Sequence, residues 1–198
     1  MRSALRQDCL LAFILIAGWS LPISAGPIGL NTWYEFGFDP NHSPSVAGCQ
    51  PADATGVPCR TGINSTPLDT PPWTFVTASP VQLTATDAFL PGDSFDIFDS
   101  GTAVGSTPSV PISGISCGLD PSICLADPAV SHATFLLASG PHAITIDVHA
   151  AQLLGEGFFR VAVVPEPSTF GLTALLLASL CASRKLCRAR RGSPPRHL

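Results

Sequence analysis

The stretch VQLTATDAFLPGDSFDIFDSG, Val81–Gly101, holds two runs of alternating residues on either side of Pro91-Gly92. In the first run Val81, Leu83 and Ala85 fall on one side and Gln82, Thr84 and Thr86 on the other. A period of two marks a strand with one buried face, and a Pro-Gly pair marks a turn. The second run, starting at Asp93, stops at Ser100-Gly101, a second turn signal. This stretch therefore predicts strand, turn, strand, turn.

The same pattern extends in both directions. Upstream, PWTFVTA (Pro72–Ala78) places Trp73 and Phe75 on one face, and NTWYEFGF (Asn31–Phe38) reads as a first strand. Downstream, SHATFLLASG puts Ala133, Phe135 and Leu137 on one face before the turn at Ser139-Gly140-Pro141. In HAITIDVHA, Ile144, Ile146 and Val148 point inward while Thr145, Asp147 and His149 point outward; GFFRVAVV (Gly157–Val164) closes the series. About seven short strands with no helix between them predict an all-β fold, an antiparallel, jelly-roll-like β-sandwich. A body of roughly 140 residues is large enough to bury a core.

Two segments break the rhythm. Residues 40–70 are rich in Pro, Ser, Thr and Gly, and residues 103–130 form a second loop region. Both are too long for passive connections. Each contains two cysteines: Cys49 and Cys59, then Cys117 and Cys124. Four cysteines allow three pairings; closeness in sequence favours Cys49–Cys59 and Cys117–Cys124. Spacings of ten and seven do not match a zinc knuckle.

Charge is distributed unevenly. The chain of 198 residues has 20 Pro, 17 Gly and only 12% charged residues. Of its 14 acidic residues only Asp8 and Glu166 lie outside 26–164, whereas only Arg60 and Arg160 of the 10 basic ones lie inside. An acidic body thus sits between two basic ends. Such a body as a whole repels nucleic acid and anionic lipid, so neither is expected as its partner.

The ends read as addresses. Residues 1–25 combine Arg2 and Arg6, an apolar run (Cys9–Trp19) and the small residues of PISA, the layout of a secretory signal helix. Cleavage is expected between Ala25 and Gly26, because a cut one residue later would place Pro27 at the scissile bond. At the other end VVPEPSTFGLTALLLASLCASRKLCRARRG (Val163–Gly192) sets Pro165-Glu166-Pro167 before an uncharged apolar run, Phe170–Ala182, and a basic cluster. The run reads as a transmembrane helix that is short for a hydrocarbon core of about 30 Å, a gap narrowed by its polar flanks and snorkelling arginines. Basic residues at both ends place both ends in the cytoplasm and the body outside.

This tail resembles the PEP-CTERM sorting signal of Gram-negative bacteria, also known as the ice-binding protein C-terminal domain. The resemblance covers about 30 residues. It departs from the usual pattern in GSPPRHL, which continues past the arginines, and in Cys181 and Cys187, which flank them. The resemblance implies that Pro165, Glu166 and Pro167 are recognised by an exosortase, and that the host makes extracellular polysaccharide. The segment Pro71–Gly101 and the strand Gly140–Ile146 also resemble a recurrent body of such proteins. The expected organisation is a signal peptide (1–25), an extracytoplasmic β-sandwich (26–164), a sorting signal (165–192) and a cytoplasmic end (193–198). Signal peptidase, exosortase, the inner membrane in passing and extracellular polysaccharide are the expected partners. The expected course is an inner-membrane-anchored precursor, then the cell surface or matrix.

Chemistry-bearing residues are few. Asp87, Asp93, Asp96 and Asp99 are candidates for a calcium site, though they lack the spacing of an EF-hand loop and also suit turns. His132, His142 and His149 fall on two strands expected to be neighbours, and Asp147 and His149 share a face at i, i+2, the geometry of a carboxylate–imidazole pair. Trp33 and Tyr34 point to opposite faces, so one is a candidate for a sugar-stacking surface. Thr84 and Thr86 form one T-x-T, which is not an ice-binding array. No G-x-S-x-G nucleophile elbow, P-loop, dinucleotide fingerprint or H-E-x-x-H is read in the chain. The expectation is a noncatalytic exported protein without a cofactor, with a carbohydrate- or calcium-binding module as the alternative.

Overall fold

The computed structural model describes residues 26–149 and 154–164. The signal segment up to Ala25, the Pro165–Pro167 motif, the apolar run, the basic cluster and residues 193–198 lie outside the described residues.

The described chain forms β1 (Trp33–Phe38), β2 (Ser65–Pro67), β3 (Trp73–Thr77), β4 (Val81–Asp87), β5 (Ser94–Asp99), β6 (Thr102–Ser106), a short helix α1 (Pro121–Ala126), β7 (His132–Leu137), β8 (Gly140–His149) and β9 (Gly155–Val163). One sheet has the order β2-β1-β9-β4-β7 and the other β3-β8-β5-β6. All pairs are antiparallel except β1 with β2. The seven strands expected from alternation are all present.

The alternation explains how the sheets meet. Val81, Leu83 and Ala85 of β4 face Ile144, Ile146 and Val148 of β8 and Phe95 and Ile97 of β5 in one core cluster. Aromatic rings link the two layers: Phe36 lies 5.2 Å from Phe95, edge to face, and Trp73 lies 4.9 Å from Phe159. Such contacts add to area burial because ring edges are positive and ring faces negative. On β7 the expected face is only partly covered beyond Leu137, since β7 is a sheet edge.

Three elements depart from expectation. β6 was expected to be loop; it completes a hairpin with β5 through Ser100 (φ 50°) and Gly101 (φ 77°), two left-handed residues whose twist suits a two-residue hairpin. β2, inside the long loop, adds to β1 in parallel. α1 lies where no helix was expected. Asp120 caps it, accepting the Ser122 N–H at 2.8 Å, and Pro121 opens it, both start signals.

The segment around α1 covers the outer side of the first sheet. Trp33, Ala88, Cys117, Cys124, Val130 and Phe158 form a second apolar cluster there. Thr84 and Thr86, on the face that alternation assigns to solvent, are therefore buried. The long loops are strapped down. Cys49–Cys59 and Cys117–Cys124 are disulfides, with Cα atoms 5.3 and 4.9 Å apart.

The sandwich has two unlike ends. Short turns join β3 to β4, β5 to β6 and β7 to β8 at one, the turn end. The β1–β2, β4–β5 and β6–β7 connections set out from the other, the loop end, where β8 also ends and β9 begins.

Candidate functional site

The loop end holds a pocket of about 160 Å³, lined chiefly by Arg60, Phe89, Leu90, Asp93, Leu154 and Glu156. Its rim is shaped by Asp87, fully buried at the end of β4. Asp87 Oδ1 accepts the Ala88 N–H at 2.7 Å, and Oδ2 accepts those of Gly92 and Asp93, each at 3.1 Å. These bonds fold the β4–β5 loop back on itself, with Phe89 at φ 66°. Burial and the nearby Asp93 charge push the Asp87 carboxyl up to about 8, against the three N–H donors.

The opposite wall comes from β9 and the Cys49–Cys59 loop. Glu156 Oε1 accepts the Arg60 backbone N–H at 2.6 Å, and Glu156 Oε2 is shut from solvent with no hydrogen-bond partner among the described residues. Burial raises the Glu156 carboxyl, the Arg60 N–H lowers it and the charge of Glu35 raises it further. Glu35 is itself buried and accepts the Gly62 N–H at 2.9 Å and the Ser65 hydroxyl at 2.8 Å, which anchors the loop. The Arg60 guanidinium lies 3.9 Å from the Phe89 ring centre. One cation, two carboxylates and apolar walls thus meet in one recess, a set that suits a small hydroxyl-bearing ligand.

The four aspartates proposed for calcium do not converge. Asp87 and Asp93 sit at the loop end. Asp96 lies on the outer face of the second sheet, where it accepts from Ser106 Oγ and His149 Nε2, the latter at 2.7 Å. Asp99 lies at the turn end and accepts from His142 Nδ1 at 2.7 Å and the Ala143 N–H at 3.1 Å. Asp93 and Asp99 are six residues apart along a strand, roughly 20 Å. Among the described residues no group of three or more His, Cys, Asp or Glu side chains is placed to hold a metal ion.

The expected Asp147–His149 pair is also redistributed. His149 turns to Asp96, and Asp147 accepts from Ser45 Oγ at 2.8 Å. Cross-strand register decides this, since Asp96 lies directly opposite Asp147 and diagonal to His149. The two histidine-bearing strands are not neighbours, because β7 and β8 lie in different sheets; His132 Nδ1 donates to the Val130 carbonyl at 2.8 Å and His142 stacks on Phe75.

Neither aromatic of the first strand offers a stacking surface. Tyr34 is in the main core, its hydroxyl accepting the Gly29 N–H at 2.6 Å. Trp33 is buried in the second cluster, with the Arg160 guanidinium 4.7 Å from its ring centre. Thr84 Oγ1 meets Thr134 Oγ1 at 3.0 Å, and Thr86 is fully buried.

The string G-x-S-x-G does occur once, as GISCG at Gly114–Gly118. It is irregular chain with no strand leading into it. Ser116 Oγ accepts the Gly118 N–H at 2.9 Å, and Cys117 is held in its disulfide. No histidine is bonded to Ser116 among the described residues, so the string does not form the nucleophile–base pair that acyl transfer needs. The pocket itself was missed in the sequence. Arg60, Asp93 and Glu156 come from three distant segments; Arg60 stood out by its rarity in an acidic body and Asp93 as a calcium candidate, with nothing to join them to Glu156.

Comparison with family models, with curated proteins and with solved structures found no match.

Proposed function

We propose that the chain is an exported, noncatalytic surface or extracellular-matrix protein of a Gram-negative bacterium. In this reading the N-terminal signal exports it, and the tail holds it at the inner membrane. An exosortase then cuts near Pro165-Glu166-Pro167, and the body is released or attached outside. The observation that carries the reading is the pair of loop disulfides in a compact body flanked by two basic, apolar ends. Disulfides persist in oxidising compartments. We read the strand order, with one sheet β1-β9-β4-β7 and the other β3-β8-β5-β6, as a jelly roll with β2 added at one edge.

The Arg60 pocket favours a second reading, a module that binds a sugar unit of extracellular polysaccharide. Glycan-array binding that is lost in Arg60→Ala would support it.

The primary reading is tested by replacing Pro165, Glu166 and Pro167 with Ala in the native host. A shortened chain outside the membrane for the wild type, with a full-length membrane-bound variant, is the expected result. The same size and fraction for both would overturn it.

A further inference from the structure

We propose that, while the tail holds the chain in the membrane, the turn end of the sandwich rests on the bilayer surface and the loop end faces away from it. The proposal rests on the membrane reading of the tail given above.

Strand direction is the first ground. β9 runs from Gly155 at the loop end to Val163 at the turn end, between β1 and β4. It pairs with β1 from Gly155↔Phe38 to Arg160↔Trp33 and with β4 from Gly157↔Asp87 to Val163↔Val81. The chain therefore leaves the body at the turn end. Phe170, where the apolar run begins, is six residues beyond Val164, a reach of at most roughly 20 Å. The loop end lies one β9 length further off, about 30 Å.

Charge is the second, independent ground. Asp39, Asp53, Asp93, Asp120, Asp127 and Glu156 all belong to the connections of the loop end or their borders. At the three short turns the acid is Asp99, and its carboxylate is engaged by His142 and the Ala143 N–H. Anionic headgroups repel carboxylates within about a Debye length, so the turn end is the one an anionic leaflet tolerates. Exposed apolar side chains lie close to it as well: Val76 of β3, Leu136 of β7 and Val163 of β9 are 77%, 68% and 44% exposed. Each is at or one residue from the strand end that leads into a short turn or into the tail. Ile63, Ile112, Ile115, Ile123 and Leu154 are exposed elsewhere and mark no contact with this surface.

The consequence is a fixed presentation. The Arg60 pocket and the disulfide-clamped loops point outward, toward whatever lies beyond the membrane.

The test uses the chain after signal removal, with its tail complete to Leu198, in nanodiscs of phosphatidylethanolamine and phosphatidylglycerol carrying a gadolinium-chelate lipid. Amide signals of Ser79, Ser100 and Ser139 should lose intensity severalfold more than those of Thr55, Asp93 and Asp127. Placing Glu at Ala78 and Ser139 (A78E, S139E) should reduce that loss in these discs and not in discs of phosphatidylcholine. Equal broadening at both ends, or stronger broadening at the loop end, overturns the orientation while leaving the anchor intact. A chain that does not enter the discs overturns the anchor and the orientation together.

Discussion

His142 Nδ1 lies 2.7 Å from Asp99 Oδ2, joining the start of β8 to the turn that ends β5. The other ring nitrogen, Nε2, donates to the Ala138 carbonyl at 3.0 Å, and the ring stacks on Phe75 at 4.7 Å. One side chain therefore ties two of the three short turns together. Burial alone would raise the Asp99 carboxyl; the bonds from His142 and the Ala143 N–H outweigh it and hold it below the ordinary 3.8.

A depressed folded pKa stabilises the fold above the unfolded value and is lost as pH falls through the folded one. Asp99→Asn should cost about 1–3 kcal/mol at neutral pH. The difference from wild type should shrink below the ordinary value of 3.8. Thermal melts of both proteins across acid pH check this; a gap that stays constant would contradict it.

Asp87 has the opposite sign. Its folded pKa, raised from 3.8 to about 8, adds stability that is complete below the unfolded value and is lost as pH rises through the folded one. Glu156, also raised, acts in the same direction. The body should gain roughly 2–5 kcal/mol between pH 8 and pH 5. Asp87→Asn should flatten much of that gain in denaturant titrations. An unchanged slope would show that the Asp87 carboxylate is ionised in its loop.

Packing predicts a steep contrast on β3. Trp73 is fully buried and Val76 is 77% exposed, three positions apart. Trp73→Ala should cost about 3–5 kcal/mol, and Val76→Ala should stay within about 0.5 kcal/mol. Urea unfolding midpoints measure both.

The two disulfides should not be equivalent. Each closes a short loop and stabilises by about 2–3 kcal/mol in the chain-entropy model. Cys117–Cys124 also supplies both sulfurs to the second apolar cluster with Trp33 and Phe158. Replacing Cys117 and Cys124 by Ala should therefore lower the melting temperature more than replacing Cys49 and Cys59, and should red-shift Trp33 fluorescence by exposing its ring.

The sequence made the sheets legible where one face met the core and the other met water. Val81–Ala85 and Ile144–Val148 alternate for that reason and were placed correctly. Legibility failed where a segment covered the outer face. Thr84 and Thr86 look like solvent positions, and only the fold of residues 107–131 over them makes them core. β2 has only three residues, and β6, TAVGS, buries neither face, so neither edge strand shows a period. α1 had its signal, Asp120-Pro121, but lies in a loop-rich context. Of the candidate sites, the disulfide pairs were readable because sequence proximity limits geometry. The aspartate candidates, which also suited turns, do not converge, because a strand spreads its residues out and alternates their faces. The pocket depends on long-range register, which one sequence does not display.

The most direct test of the central claim is intact mass spectrometry of the protein recovered by fraction from its native host, without reducing agent. The account predicts a chain that begins at Gly26 and ends near Pro165–Pro167, found outside the membrane, with a mass four hydrogens below that of the reduced chain. A membrane-bound mass that retains Phe170–Leu198 would contradict it.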